Sequence, residues 1–171
     1  EIAILILAPF IIAMIVFMPF LIKLLYSEKF LVIIPMTKWL LIGSLVKAGS
    51  WGLSFVFLAK GDGKTFLFNE LGIKLITIPA YLLGYYVFGL VGIGYAYVFG
   101  YTVYFVWIAI IAFRKYKLHY KKRFWMTFFI LFTLIIIFPL GEYLWDASYY
   151  TGIILILVIS AFSLFILNER V

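Results

Sequence analysis

Residues 75–113 read LITIPAYLLGYYVFGLVGIGYAYVFGYTVYFVWIAIIAF, 39 residues without a single charge. As one helix the run would be about 58 Å long at 1.5 Å per residue. A bilayer's hydrocarbon core is only about 30 Å thick and needs roughly 20 residues to cross. The run must therefore fold back on itself. Phe88-Gly89-Leu90-Val91-Gly92 is the natural reversal, because glycine tolerates the backbone angles of a tight turn. Two spans result, near residues 65–88 and 90–113.

The rest of the chain repeats this character. Apolar residues make up 67% of the 171 residues, aromatics 22% and charged residues only 12%. A soluble domain is about half apolar and about a quarter charged. The composition excludes a disordered chain, a collagen-like chain and a disulfide scaffold. There is no cysteine, so no disulfide and no thiolate metal site can form. Further apolar segments lie near 2–22, 31–59, 124–141 and 150–167. None alternates as a barrel strand would, and helices and closed barrels are the only structures that satisfy their backbone in lipid. The expected fold is all-α, a polytopic membrane protein of about six transmembrane helices. Pro9 and Pro19 should bend the first span.

Charge placement orients the spans. Lys60, Lys64, Arg114, Lys115, Lys117, Lys121, Lys122, Arg123 and Arg170 fall on one side, and only Lys23 and Lys29 on the other. The positive-inside rule puts the first side in the cytoplasm, with both ends of the chain. Trp125, Trp145 and several tyrosines sit near span ends, where an aromatic belt would place them. The chain opens at Glu1 without methionine or a basic flank, and reads as the C-terminal portion of a larger protein.

Four charges fall at membrane depth: Lys38, Lys47, Glu70 and Lys74. Each costs about 2.5–3.5 kcal/mol at a helix centre unless it meets water, protein or an opposite charge. Lys38 is expected to snorkel to the outer interface. Glu70 and Lys74 share a helix face at i, i+4; they either neutralise each other or line a site. Lys47 is too deep to snorkel and is the best candidate to meet an anion. Lys47, Lys74 and Glu70 are therefore the candidate substrate-binding residues, with Glu70 also the candidate for ion coupling. The basic loop Arg114, Lys115, Lys117, Lys121, Lys122 and Arg123 carries interleaved tyrosines. Between two spans it reads as a topology signal and a contact for anionic lipid, with no nucleic acid implied.

Enzyme chemistry finds little support. His119 is the only histidine, and Glu142 and Asp146 fall on the opposite side of the membrane from it. Those two acids could at most form a weak cation site. No metal cluster or nucleophilic triad can be assembled. Gly89-Leu90-Val91-Gly92-Ile93-Gly94 lacks the spacing of a phosphate loop and suits a turn and close helix packing.

Several stretches together resemble a family. Pro19-Phe20-Leu21-Ile22-Lys23-Leu24-Leu25-Tyr26-Ser27-Glu28-Lys29-Phe30 resembles the "LLYG-E-F" segment of bacterial polysaccharide (O-antigen type) flippases. These belong to the multidrug/oligosaccharidyl-lipid/polysaccharide exporter superfamily. Trp39 to Gly52 resembles their "WLLLG…KA-SW-L" helix, and Phe57-Leu58-Ala59-Lys60-Gly61-Asp62-Gly63-Lys64 their "LAKG–K" turn. Asn69-Glu70-Leu71 resembles the start of the next helix. Phe88 to Tyr97 resembles their "FGL-G-GIAY" turn, and Arg114-Lys115-Tyr116 matches the end of the helix that follows. The likeness covers about residues 15–120, in family order; the last two spans match only in hydrophobicity.

The resemblance implies a two-lobed transporter of which this chain supplies a C-terminal portion, with the N-terminal lobe as its partner. It implies a polyprenyl-pyrophosphate-linked oligosaccharide moved from the cytoplasmic to the outer leaflet of the bacterial plasma membrane, for surface polysaccharide synthesis. Alternating access would draw on a proton or Na⁺ gradient, with no bound cofactor and no enzymatic step. A multidrug or small-cation exporter of the same superfamily is the alternative; a membrane enzyme on polyprenyl-linked sugars and a non-catalytic assembly subunit are weaker ones.

Overall fold

A computed structural model describes residues 2–145 and 149–169, and among these there are helices and turns but no strand. The helices are α1 (Ile2–Leu25), α2 (Ile34–Ala59), α3 (Gly63–Phe88), α4 (Leu90–Tyr116), α5 (Lys122–Trp145) and α6 (Tyr149–Asn168). All six segments are long and apolar enough to cross a membrane. The chain is thus an all-α, multi-pass membrane protein.

The helix ends differ from the apolar runs in instructive ways. α1 continues through Pro9 and Pro19 to Leu25. Residues Glu28–Ile33 form a 3-10 segment, so α2 begins at Ile34 instead of residue 31. α4 carries its last turn through Arg114 and Lys115, and α5 opens with Lys122 and Arg123. Charges are cheap at a helix end, where the side chain reaches the interface, so the helix outlasts the uncharged run.

The chain divides into two compact units. One comprises Glu1–Ile34 with Lys122–Val171, and so holds α1, α5 and α6. In it α1 buries Ile4, Leu5, Ala8, Ile11, Ile12, Ile15, Val16 and Ile22. α5 buries Phe124, Phe128, Leu131, Ile135 and Phe138, a recurrence of three and four that marks one helix face. The rings of Phe124, Phe128 and Phe132 stack along it at spacings of 6.0 and 5.8 Å. Gly152 of α6 lies against Val16 and Phe138, so the three helices meet there.

The other unit, Pro35–Lys121, holds α2, α3 and α4. Asp62 starts α3: its carboxylate accepts a hydrogen bond from the Thr65 backbone N–H at 3.3 Å. One residue, Gly89, joins α3 to α4, with φ at 63°, a left-handed value open to glycine. Just beyond it the two backbones touch. A methyl group on Gly92 would collide with the carbonyl of Gly84 and sit 3.0 Å from Phe88 Cβ. Close approach of this kind is how small residues bind membrane helices together. α2 joins the pair through Trp39, whose ring meets Tyr95 edge-on at 5.0 Å. Lys117, in the left-handed region at φ 57°, ends α4.

Lys38 departs from expectation. It does not reach out to the interface but is buried, with only 8% of its surface exposed. Its place in the first turns of α2 leaves it inside the packed protein, where its charge is held by protein contacts.

Candidate functional site

Lys47 lies thirteen residues from the start of α2 and twelve from its end. That is about 18–20 Å from either end. Its ammonium sits 5.2 Å from the ring centre of Trp51, one turn along the same helix, and 5.1 Å from that of Tyr101 on α4. Aromatic faces attract a cation by about 0.5–2 kcal/mol, more where water is excluded. Tyr97 extends the aromatic wall, its ring 4.7 Å from that of Tyr101. Among the described residues no carboxylate forms an ion pair with Lys47. Lys47 is half-buried, and its ammonium lies among the aromatic side chains of α2 and α4.

Glu70 is placed by α3, seven residues beyond its first. It does not pair with Lys74. Instead Oε1 accepts a hydrogen bond of 2.5 Å from the Tyr104 hydroxyl of α4. Ser54 of α2 stands 3.5 Å from the same carboxylate oxygen and 3.1 Å from the Tyr104 oxygen. The one Tyr104 proton goes to Glu70, so Ser54 donates to one of these two oxygens. Three helices thus converge on one carboxylate through hydroxyl groups. The Tyr101 and Tyr104 rings meet edge-on at 6.3 Å, so the Lys47 niche and the Glu70 cluster share a wall.

A second polar contact lies beside them. The Trp107 indole N–H donates to Asn69 Oδ1 at 3.0 Å. This fixes the amide's orientation, because an indole can only donate. Asn69 is 5% exposed and its Nδ2 has no hydrogen-bond partner among the described residues. A cavity of about 100 Å³ lies nearby, lined by Gly72, Ile73, Ile76, Val103, Tyr104 and Trp107.

At the end of the unit opposite the Gly89 turn, Asp62 gathers the basic residues. Lys115 and the Tyr116 hydroxyl both donate to its carboxylate, and Lys115 also reaches Thr65 Oγ1 at 2.6 Å. The Lys115 and Tyr116 donors hold the Asp62 carboxyl well below the usual carboxylate range. Lys60 stands 5.2 Å over the Tyr116 ring. Tyr120 donates to the Gly49 carbonyl at 2.6 Å, and burial pushes its hydroxyl up to about 12.

Of the sequence candidates, Lys47 and Glu70 are brought to adjoining sites. Lys74 is not: it is exposed on α3, next to Ile73 on the buried face, and joins neither group. Arg114, Lys117, Lys121 and Lys122 are exposed. Lys115 and Arg123 each pair with a carboxylate, Lys115 with Asp62 and Arg123 with Glu169. His119 packs against the Phe113 ring at 6.2 Å. Glu142 is half-buried near the end of α5, while Asp146 and Arg170 lie outside the described residues. No cluster of three metal-ligating side chains occurs among the described residues.

Sequence reasoning missed Ser54, Asn69, Tyr101, Tyr104 and Trp107. A signal was present: Ser50 and Ser54 repeat at four on α2, and Tyr97, Tyr101 and Tyr104 at four and three on α4. Polar atoms on one face of an uncharged span point to a partner, because lipid offers none. No protein-family model, curated protein or solved structure matches the chain.

Proposed function

We propose that the chain is part of a flippase that carries polyprenyl-pyrophosphate-linked oligosaccharide from the cytoplasmic to the outer leaflet of the bacterial plasma membrane. The observation that carries this reading is Lys47: a cation at mid-span, held by aromatic rings and unpaired with any described carboxylate. Such a group is costly in a membrane unless it meets water, protein or an opposite charge, and a pyrophosphate head would supply the last. The rings beside it suit sugar faces, while the polyprenyl tail stays in lipid. Glu70 is the coupling group, taking up H⁺ or Na⁺ as the two lobes of the complete transporter rock around the bound head. The basic collar of Arg114, Lys117, Lys121 and Lys122 faces the cytoplasmic leaflet and its anionic lipids, with both ends of the chain on that side.

A cationic-drug exporter of the same superfamily fits less well. The rings that would hold a cationic substrate, Trp51 and Tyr101, already hold the protein's own ammonium.

The test is transport by the complete protein in liposomes, using a fluorescent polyprenyl-pyrophosphate oligosaccharide. Label should cross between leaflets, and Lys47→Ala should slow it about tenfold or more, the value of one lost charge-assisted contact. Unchanged transport in Lys47→Ala at matched protein levels would remove the anion site. Absence of transport across a panel of glycans and both ion gradients would remove the flippase reading.

A further inference from the structure

The Lys47 niche and the Glu70 cluster are joined by two tyrosines of α4, and that junction has a mechanical consequence. Tyr104 donates its only hydroxyl proton to Glu70 at 2.5 Å. Its ring supports the Tyr101 ring edge-on at 6.3 Å, and the face of Tyr101 carries the Lys47 ammonium at 5.1 Å. We infer that Tyr104 is a positioning residue that links the charge state of Glu70 to the seating of Lys47, with the Tyr101 ring between them.

The reasoning starts from the hydrogen-bond count. A carboxylate only accepts, and a hydroxyl donated to it makes a bond about twice as strong as a neutral one. When Glu70 takes up a cation, that charge assistance is lost. A proton bound at Oε1 turns the acceptor that holds Tyr104 into a donor. The Tyr104 hydroxyl must then turn to Ser54 Oγ, 3.1 Å away, or leave the cluster. The first choice weakens the hydrogen bond that seats the Tyr104 ring and the second frees the ring against which Tyr101 rests; a close-packed interior passes the resulting shift on. The groups facing Glu70 are few. α2 presents Ser54, with Lys47 two turns away; α4 presents Tyr104 and, behind it, Tyr101; on α3 itself Lys74 lies one turn further on without pairing. One route of side-chain contact in this unit from Glu70 to Lys47 passes through the two tyrosines; another runs through Ser54 and the α2 backbone, and Tyr104→Phe separates the two. The use of the link, releasing or gripping an anion as the coupling ion binds, rests on the function proposed above; the link itself does not.

The test reads Lys47 through Trp51, whose ring lies 5.2 Å from the ammonium. The complete protein, labelled with 5-fluorotryptophan and held in nanodiscs, gives a ¹⁹F signal for Trp51 that Trp51→Phe identifies. That signal should titrate with pH in the wild type and stay flat in Glu70→Gln. In Tyr104→Phe, which keeps the ring and the Glu70 charge but not the hydroxyl, its amplitude should fall at least threefold. A titration in Tyr104→Phe as large as in the wild type would mean that Trp51 senses Glu70 through space, and would overturn the inference. So would a wild-type Trp51 signal that does not titrate. The Trp39 signal, on a ring that packs against Tyr95 away from the cluster, checks that each variant is folded. If Trp51 titrates as expected and the protein moves no lipid-linked sugar, the link stands and the flippase reading falls. If the protein flips sugar and Tyr104→Phe flips with an unaltered pH profile, the flippase stands and the link falls.

Discussion

Gly92→Ala tests the α3–α4 contact most directly. The added methyl group would overlap the carbonyl oxygen and carbon of Gly84 and lie 3.0 Å from Phe88 Cβ. Two of these obstacles are backbone, and the third belongs to the turn of helix just before Gly89. None can swing aside as the tip of a flexible side chain can. Relief requires the helices to part near a link one residue long, which leaves them little room to do so. Overpacking of this kind costs about 1–3 kcal/mol, or about 5–150-fold in the unfolding constant. Against this, alanine gains up to about 1 kcal/mol over glycine in a helix interior. Gly72→Ala isolates that gain, because nothing lies within 4 Å of the position a Cβ would take there. Unfolding of the complete protein in mixed micelles, followed by helical circular dichroism against denaturing detergent, should show Gly92→Ala destabilised and Gly72→Ala unchanged or slightly stabilised. Equal midpoints for the two variants would refute the close crossing.

Three further outcomes are expected. Asp62→Asn should lose stability at neutral pH; since the carboxyl's folded pKa is depressed by Lys115 and Tyr116, the wild-type advantage should be full above about pH 4, near the unfolded value, and shrink as pH falls below it, as thermal melts across pH would show. Trp107→Phe keeps an aromatic ring but strips Asn69 Oδ1 of its indole donor, and should cost about 1–3 kcal/mol in the same detergent assay. Lys74→Ala, at an exposed position with no partner among the described residues, removes a charge at membrane depth and should leave stability unchanged or raise it, whereas a loss would reveal a contact made by Lys74.

The architecture was legible because bilayer thickness is an external ruler. Residues 75–113 are too long for one crossing, Gly89 is the residue that can reverse them, and the structure turns there. The depth of Lys47 and Glu70 was legible for the same reason. Their partners were not. Glu70 and Tyr104 are 34 residues apart, and their meeting depends on how α3 and α4 are rotated about their own axes. A helix that is apolar on every side gives little sign of which face turns inward. For α3 the i, i+4 rule therefore offered Lys74 as the nearest partner, whereas a hydroxyl on the next helix supplied it. Lys38 failed in the same way, since its burial is set by neighbouring residues and not by its distance from the helix end.

The single residue between α3 and α4 also bears on motion. A longer linker holds slack that lets two helices slide past each other. Gly89 holds almost none, and the Gly84–Gly92 contact sits within two turns of it. Any displacement of α3 near this link therefore carries α4 with it, and the pair moves as one lever.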